Sequence, residues 1–263
     1  MNILVMIKQV PDTDNVKMDP VTGTMIRDGV ESVINPLDLY ALEEAVALKE
    51  QYGGTVTVLT MGPESAKAAL KEALSMGCDQ AVLASDREFA GADTWSTSYV
   101  LAEAIKHLGA FDLILAGERA TDGDTGQVGP GTAAWLDLPF LTYVSRVCGV
   151  AESLLIIERL VENGYETHEI ELPCLLTVIK ELNYPRLPTL TGKKMAKIAG
   201  IKVLTAADLP LIKANTGLQG SPTKVVKIEK TQAVRNGRII QAKTPAEIKT
   251  AVMEIADYIE EFI

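Results

Sequence analysis

Positive charge is scarce in this chain: 25 lysines and arginines stand against 35 aspartates and glutamates, for a formal net charge of −10. Nucleic acid is therefore not an expected partner, because its phosphates need a basic footprint. A more basic protein remains a suitable partner. Cysteine is also rare. Cys78, Cys148 and Cys174 lie far apart and never pair as C-x-x-C, which fits buried thiols in a reducing compartment better than disulfides or metal ligands. Neither histidine, His107 or His168, has a second histidine or a cysteine within helical reach, so no zinc or other metal site is expected. No apolar run approaches the roughly eighteen residues of a membrane span. The N-terminus puts apolar residues first and Lys8 after them, the wrong order for a secretory leader. A cytoplasmic protein is expected. Gly-x-Ser-x-Gly is missing and no histidine adjoins a candidate nucleophile, so no hydrolytic machinery is in view.

What the chain does have is a regular alternation of strand-like and helix-like segments. Asn2–Val10 reads as one buried parallel strand, followed by a turn at Pro11–Asn15 and a hairpin or loop excursion at Asp19–Thr24. Asn35 is placed as an N-cap with Pro36 in the first helical position and Asp38 in the first turn, opening a helix that Gly53-Gly54 closes. Thr55–Thr60 and Gln80–Ser85 are strands, and Ser65–Met76 is a helix ended by Gly77. Asp93 can cap a helix through Trp95, Tyr99, Ala102 and Ile105, and Asp112–Gly117 is the fourth strand. This rhythm predicts an α/β fold with a doubly wound, mostly parallel sheet.

From about Val150 the pattern changes. Leu154–Val161 and Tyr165–Leu172 flank Asn163-Gly164, the favoured pair of a tight hairpin turn. Cys174–Ile179 is another buried strand. Asn183–Leu190 holds two prolines within four residues and cannot be regular. Lys193, Lys194 and Lys197 make a local basic patch. Residues Lys202–Arg238 show weak periodicity and no convincing core, and a capping box at Thr244–Glu247 starts a last helix running to Phe262. The organisation read here is an α/β nucleotide-binding domain over residues 1–200, with hairpin 154–172 and loop 183–191, then a C-terminal arm and helix over 201–263 that pack on another subunit.

The most informative stretch is Gly117–Gly131, five glycines in fifteen residues between the fourth strand and a helix-like run, Thr132–Leu136. Glycines let backbone N–H groups approach an anion closely, and a helix N-terminus adds partial positive charge. The spacing matches neither G-x-G-x-x-G nor a P-loop, since no Lys-Ser/Thr follows. A nucleotide site of an uncommon type competes with a plain flexible loop. In a parallel sheet the strand C-termini share one crevice, which would gather Met6–Pro11, Met61-Gly62, Asp86–Thr97 and Gly117–Gly131 around one ligand. Any redox chemistry must come from a bound cofactor.

Taken together, several segments resemble the β subunit of electron-transferring flavoprotein. They are Val5–Pro11, Asn35–Asp38 followed by Glu43-Glu-Ala45, Thr60–Pro63, Met76–Asp79, the loop from Asp122, and Leu182–Arg186. The likeness runs from the first strand to about Lys197. It implies a fold of the adenine-nucleotide α-hydrolase-like type, in a heterodimer with an α subunit that carries FAD. By position, the family's nucleotide contacts fall on Met6, on Asn35, Pro36, Leu37 and Asp38, and on Met61. They continue through Asp122, Gly123, Asp124, Thr125, Gly126, Gln127, Val128, Gly129, Pro130, Gly131, Thr132 and Ala133. The family's docking loop falls on Asn183–Thr191, with Pro185, Arg186, Leu187 and the anchoring Leu190, and a glutamate facing the α-subunit flavin maps to Glu166.

Two branches of the family are distinguished by the loop. One holds AMP as a structural ligand. The glycines and proline of Ala120–Pro130 are similar to the other branch, in which a second FAD replaces AMP, as are Val10-Pro-Asp-Thr13 and Asp93-Thr94-Trp-Ser-Thr97. That resemblance implies electron bifurcation: NADH reduces the β-site FAD, one electron goes to ferredoxin or flavodoxin, and the other passes through the α-subunit FAD to an acyl-CoA dehydrogenase. No side chain of this subunit is implied as a catalyst. An ATP-using enzyme on a related fold is disfavoured, because neither a stress-type phosphate loop with its closing Gly-Ser nor Ser-Gly-Gly-x-Asp is found.

Overall fold

A computed structural model describes residues 1–12, 17–18, 25–26, 32–151, 153–226, 237 and 239–260. In chain order the strands are β1 (Asn2–Met6), β2 (Gln9–Pro11), β3 (Lys17–Met18), β4 (Met25–Ile26), β5 (Ser32–Ile34), β6 (Thr55–Met61), β7 (Gln80–Ala84), β8 (Leu113–Gly117), β9 (Phe140–Ala151), β10 (Leu154–Val161), β11 (Gly164–Glu171), β12 (Cys174–Val178) and β13 (Lys202–Leu204). The helices are α1 (Asp38–Tyr52), α2 (Lys67–Met76), α3 (Thr94–Leu108), α4 (Val128–Leu136), α5 (Leu190–Ile198), α6 (Gly217–Gly220) and α7 (Pro245–Glu260).

Nine strands form one sheet in the order β11-β10-β9-β12-β8-β1-β6-β7-β13. Pairing is parallel from β9 to β13 and antiparallel only at β9–β10 and β10–β11 among the described residues. Alternation along β1 shows how both faces are covered. Ile3 and Val5 join the apolar layer under α1 and α2, whereas Leu4 and Met6 join the layer under α3. Strands buried on both faces are nearly continuous in apolar residues, and Ile3–Met6 is so.

Several expectations change. Asn2–Val10 is not one strand: it breaks after Met6, and β2 turns away to pair with β5. Asn35 does not cap a helix. Its side chain is fully buried and turned elsewhere, Pro36 lies in a turn, and α1 begins at Asp38 after Leu37. Residues 202–226 are not without a core, because β13 extends the sheet beside β7 and buries Leu204, while Leu209 is buried in the same layer. The long β9 and helix α5 are additional elements. Cys148 is exposed, unlike Cys78 and Cys174. Asn15, the excursion Asp19–Thr24, Arg238 and Phe262 lie outside the described residues, although β3 and β4 on either side of the excursion pair antiparallel.

The hairpin β10–β11 forms, but one residue earlier than the dipeptide predicts: Val161 pairs with Gly164, so Glu162 and Asn163 make the turn and Gly164 opens β11. Asp93 caps α3, and Gly77 ends α2. The chain divides into two compact units, Met1–Lys227 and Ile228–Ile263. In the second, α7 opens with the capping box: Glu247 accepts from the Thr244 N–H at 2.9 Å and its own N–H donates to Thr244 Oγ1. Its residues Ile248, Val252, Ile255 and Ile259 recur at helical spacing and are all about half exposed. No described helix is long and apolar enough to cross a membrane.

Candidate functional site

Parallel pairing puts the C-terminal ends of β1, β6, β7, β8 and β12 along one edge, and the chain beyond those ends makes the site. Its foundation is the pair Asn35 and Asp38, both buried. The Asp38 carboxylate accepts from the Lys8 N–H at 2.7 Å, from Asn35 Nδ2 at 2.9 Å and from the Gly117 N–H at 3.2 Å. Asn35 also donates to the Arg119 carbonyl at 2.9 Å and accepts from the Thr121 N–H at 3.0 Å. The exits of β1 and β8 and the start of the glycine loop are thus tied at one point. Gly117 permits this approach, since a Cβ there would lie 2.5 Å from Asp38 Oδ1. Burial pushes the Asp38 carboxyl up to about 7, against the Asn35, Lys8 and Gly117 donors and the Lys8 charge that pull it down.

Two carboxylates in the loop would repel a phosphate, but each is matched by a cation. Lys8 Nζ bonds both oxygens of Asp122, at 2.6 and 2.7 Å, and Arg119 Nε lies 2.8 Å from Asp124. The glycines divide by task. Gly126 takes a φ of +63°, a left-handed turn, and Gly123 faces open space. Gly129 and Gly131 instead seat α4: a Cβ on Gly129 would lie 2.5 Å from Thr177 Cγ2 on β12, and one on Gly131 would lie 2.8 Å from Ser98 Oγ on α3. Glycine content here therefore serves helix packing as much as access to a ligand.

The N-terminus of α4 has no side-chain cap. Its N-cap residue Gln127 turns away and accepts from Thr94 Oγ1 at 2.8 Å. The first N–H groups of α4, those of Val128 and Gly129, have no intrahelical acceptor, and Pro130 has no N–H to satisfy. An anion is suited to that position. Alongside lies a cleft of about 430 Å³ lined by Thr94, Trp95, Ser98, Gln127, Gly131 and Trp135. Trp95 and Trp135 meet edge to face at 5.3 Å, and Tyr99 stands 4.9 Å from Trp135. The walls are aromatic and apolar and the rim is polar, an arrangement suited to a planar ring attached to phosphate.

Of the anticipated residues, Asp122 and Gly123–Gln127 lie on this loop, whereas Val128–Gly131 already form the first turn of α4, four residues earlier than the expected helix start at Thr132. Thr94, Gln127 and Gly131 border the cleft. Others face inward. Thr132 donates its hydroxyl to the Val128 carbonyl, Ala133 and Met6 are core, and Met61 packs against that core. Pro36 is exposed and Leu37 half-buried beside Asp38; Thr125 is exposed and Thr97 half-buried. Asp93 is engaged by the Ser96 N–H and by the N–H and hydroxyl of Thr223, so it caps α3 and fastens the chain after α6. The sequence does not mark Ser98 or Trp135, and it places Lys8 and Arg119 near the ligand only as members of Met6–Pro11 and Gly117–Gly131, without their carboxylate partners. Lys8 is joined to Asp122 across 114 positions of sequence, a pairing that local pattern does not reveal.

A second surface lies at Asn183–Leu190, after β12. Tyr184, Leu187 and Leu190 are at least four-fifths exposed. Asn183 and Arg186 of the same segment face α1: Asn183 donates to the Tyr40 carbonyl and to Glu44, and Arg186 pairs with Glu43 and Glu50. Burial raises the Glu44 carboxyl, with Asn183 acting against it. Glu166 lies on edge strand β11, exposed, 3.0 Å from His168 Nε2.

Comparison with known proteins agrees with this geometry. The profile of the electron transfer flavoprotein domain matches residues 22–209. The chain is 50% identical over 258 residues to an electron transfer flavoprotein subunit beta of Thermoanaerobacterium thermosaccharolyticum, covering 98% of this chain and 97% of that one. It is 47% identical over 249 residues to the caffeyl-CoA reductase-Etf complex subunit CarD of Acetobacterium woodii, covering 94% and 95%. Protein FixA of Azotobacter vinelandii is 46% identical over 235 residues, covering 87% and 83%.

Proposed function

The chain belongs to the electron transfer flavoprotein family, on its β-subunit side, and from that premise we propose that it is the β subunit of an electron-bifurcating heterodimer with FAD in the cleft beside Gly123–Gly131. When bound, FAD supplies the redox chemistry: it takes a hydride from NADH and passes electrons to ferredoxin or flavodoxin and, through an FAD on the α subunit, to an acyl-CoA dehydrogenase. The residues of this chain bind and orient. Val128 and Gly129 N–H groups hold the diphosphate at the uncapped end of α4. Lys8 and Arg119 neutralise Asp122 and Asp124 so that the anion is not repelled. Trp95 and Trp135, packed edge to face, offer one aromatic wall to a planar ring.

One observation carries the reading: the uncapped first turn of α4 adjoins, through Gln127 and Gly131, a cleft bordered by two indoles. AMP, the alternative ligand, also offers a phosphate and one planar ring, so the preference for FAD rests on the resemblance of Ala120–Pro130 to the FAD-binding branch. The doubly wound sheet, with this loop after β8, supports the adenine-nucleotide α-hydrolase-like type. The pairing of the Acetobacterium woodii relative with a caffeyl-CoA reductase in its complex's name supports an acyl-CoA dehydrogenase as electron acceptor. The exposed apolar stripe of α7 supports docking on the α subunit, and the raised leucines of 183–190 support docking of the dehydrogenase. Counting cofactors in the purified heterodimer tests the central point. Two FAD and no AMP per heterodimer is expected; one FAD with one AMP would replace bifurcation by simple electron transfer.

A further inference from the structure

Segment 183–190 displays Tyr184, Leu187 and Leu190 to solvent at 95, 86 and 81% exposure. Exposed leucines on an irregular, proline-bearing stretch gain little on docking unless something holds them in place, because ordering them at the moment of contact costs conformational entropy. Prolines restrict φ but do not fix the stretch against the body of the molecule. Side chains of the same segment do so.

Arg186 is at the centre. Its backbone N–H and its Nε both donate to Glu43 Oε2 at 2.9 Å, and one terminal nitrogen donates to Glu43 Oε1 at 2.9 Å. That same nitrogen reaches Glu50 Oε2 at 3.0 Å, and the other reaches Glu50 Oε1 at 2.6 Å. Glu43 and Glu50 lie seven positions apart on α1, so they share a helix face and grip one planar fork from two turns. Three residues earlier, Asn183 donates to the Tyr40 carbonyl and Glu44 Oε2, both at 3.0 Å. On the far side, Thr189 caps α5 by accepting the Gly192 N–H, and Gly192 itself lies so close to the Ser75 carbonyl of α2 that a Cβ would overlap it. The leucines are thus strung between two fixed points, one on α1 and one on α2.

We infer that Arg186, on which the family resemblance places partner docking, is instead a positioning residue: with Glu43 and Glu50 it fastens segment 183–190 to α1 so that Leu187 and Leu190 are presented ready-made to the partner. The inference rests on the reading of this segment as a docking surface for an acyl-CoA dehydrogenase. Every nitrogen of the guanidinium already donates to a carboxylate of its own chain. A lysine cannot replace it, since a single ammonium does not span two carboxylates in a fork.

The test uses the assembled heterodimer with purified butyryl-CoA dehydrogenase as the docking probe, and compares Arg186→Met, the double variant Glu43→Gln/Glu50→Gln, and Leu190→Ala. The first two are expected to speed amide hydrogen exchange across residues 183–191 by about tenfold or more, to raise the KM for the dehydrogenase about tenfold, and to leave kcat at saturating dehydrogenase and the nucleotide content unchanged. The glutamine pair is decisive, because it frees Arg186. If Arg186 touches the partner directly, freeing it keeps or improves affinity and the inference falls. Unchanged exchange in Arg186→Met overturns it equally. Leu190→Ala separates the two readings: a wild-type KM in that variant removes the docking surface, while a raised KM there with normal values in the other two removes only the clamp.

Discussion

Asp38 shows how much of the site depends on a single buried carboxylate. It accepts three donors from three separate stretches of chain, and an amide in its place would point a donor at either the Lys8 or the Gly117 N–H. Asp38→Asn is expected to cost about 1–3 kcal/mol in denaturant unfolding, the range for a buried donor left without its acceptor. The effect also depends on pH. A carboxyl raised from 3.8 to about 7 in the native state binds more proton there than in the unfolded chain between those values. Its contribution to stability is therefore greatest below 3.8 and is lost as pH rises through about 7. The stability difference between wild type and Asp38→Asn, followed from about pH 4 to about pH 8, should shrink in the same direction; a constant difference would place the carboxyl in its ordinary range. Gly126 offers a second test. Its φ of +63° strains any β-branched replacement, so Gly126→Val should cost about 1–3 kcal/mol locally and lower the nucleotide recovered per heterodimer.

Among the elements, α5 and β9 are the instructive ones. Gly192 brings α5 against the Ser75 carbonyl, so Gly192→Ala must push the helix away from α2. A loss of about 1–3 kcal/mol is expected, with a raised KM for the dehydrogenase and unaltered nucleotide content; retained cofactor together with impaired docking would separate this surface from the cleft. Neither α5 nor β9 is plain in the sequence. The polar face of α5 carries Lys193, Lys194 and Lys197, and its buried side is little more than Gly192 and Ala196, too small to mark an apolar stripe. Strand β9 loses its two-residue period because its pairing with β10 slips twice and its pairing with β12 once, and Tyr143 takes a left-handed φ of 58°. By contrast, β1, β6, β7, β8 and β12 are buried on both faces, and continuous apolar runs make such strands legible. The glycine loop is legible because it is contiguous. The bonds that complete the site, Lys8 to Asp122, Asn35 to Thr121 and Thr94 to Gln127, join residues 114, 86 and 33 positions apart, and nothing in a local window signals them. Asn35 illustrates the cost: its cap-like setting before Pro36 and Asp38 fits a helix start, but its side chain faces the loop.

Across the whole molecule, a parallel sheet collects five strand ends along one edge, while the docking segment follows β12 and the second compact unit begins only at Ile228. Helix α7 in that unit buries none of its residues, and its stripe of Ile248, Val252, Ile255 and Ile259 is an amphipathic face without cover among the described residues. Deleting residues 228–263 is expected to abolish co-purification with the α subunit; an intact heterodimer from the truncated chain would assign assembly to another surface. The position of the aromatic residues has a practical result. Trp95 and Trp135 are the two tryptophans of this chain, and both line the same cleft. Ultraviolet emission from these indoles therefore arises beside the proposed FAD position, and a flavin entering there should quench it as an energy acceptor. The polypeptide carries its own optical gauge of loading, readable without a label.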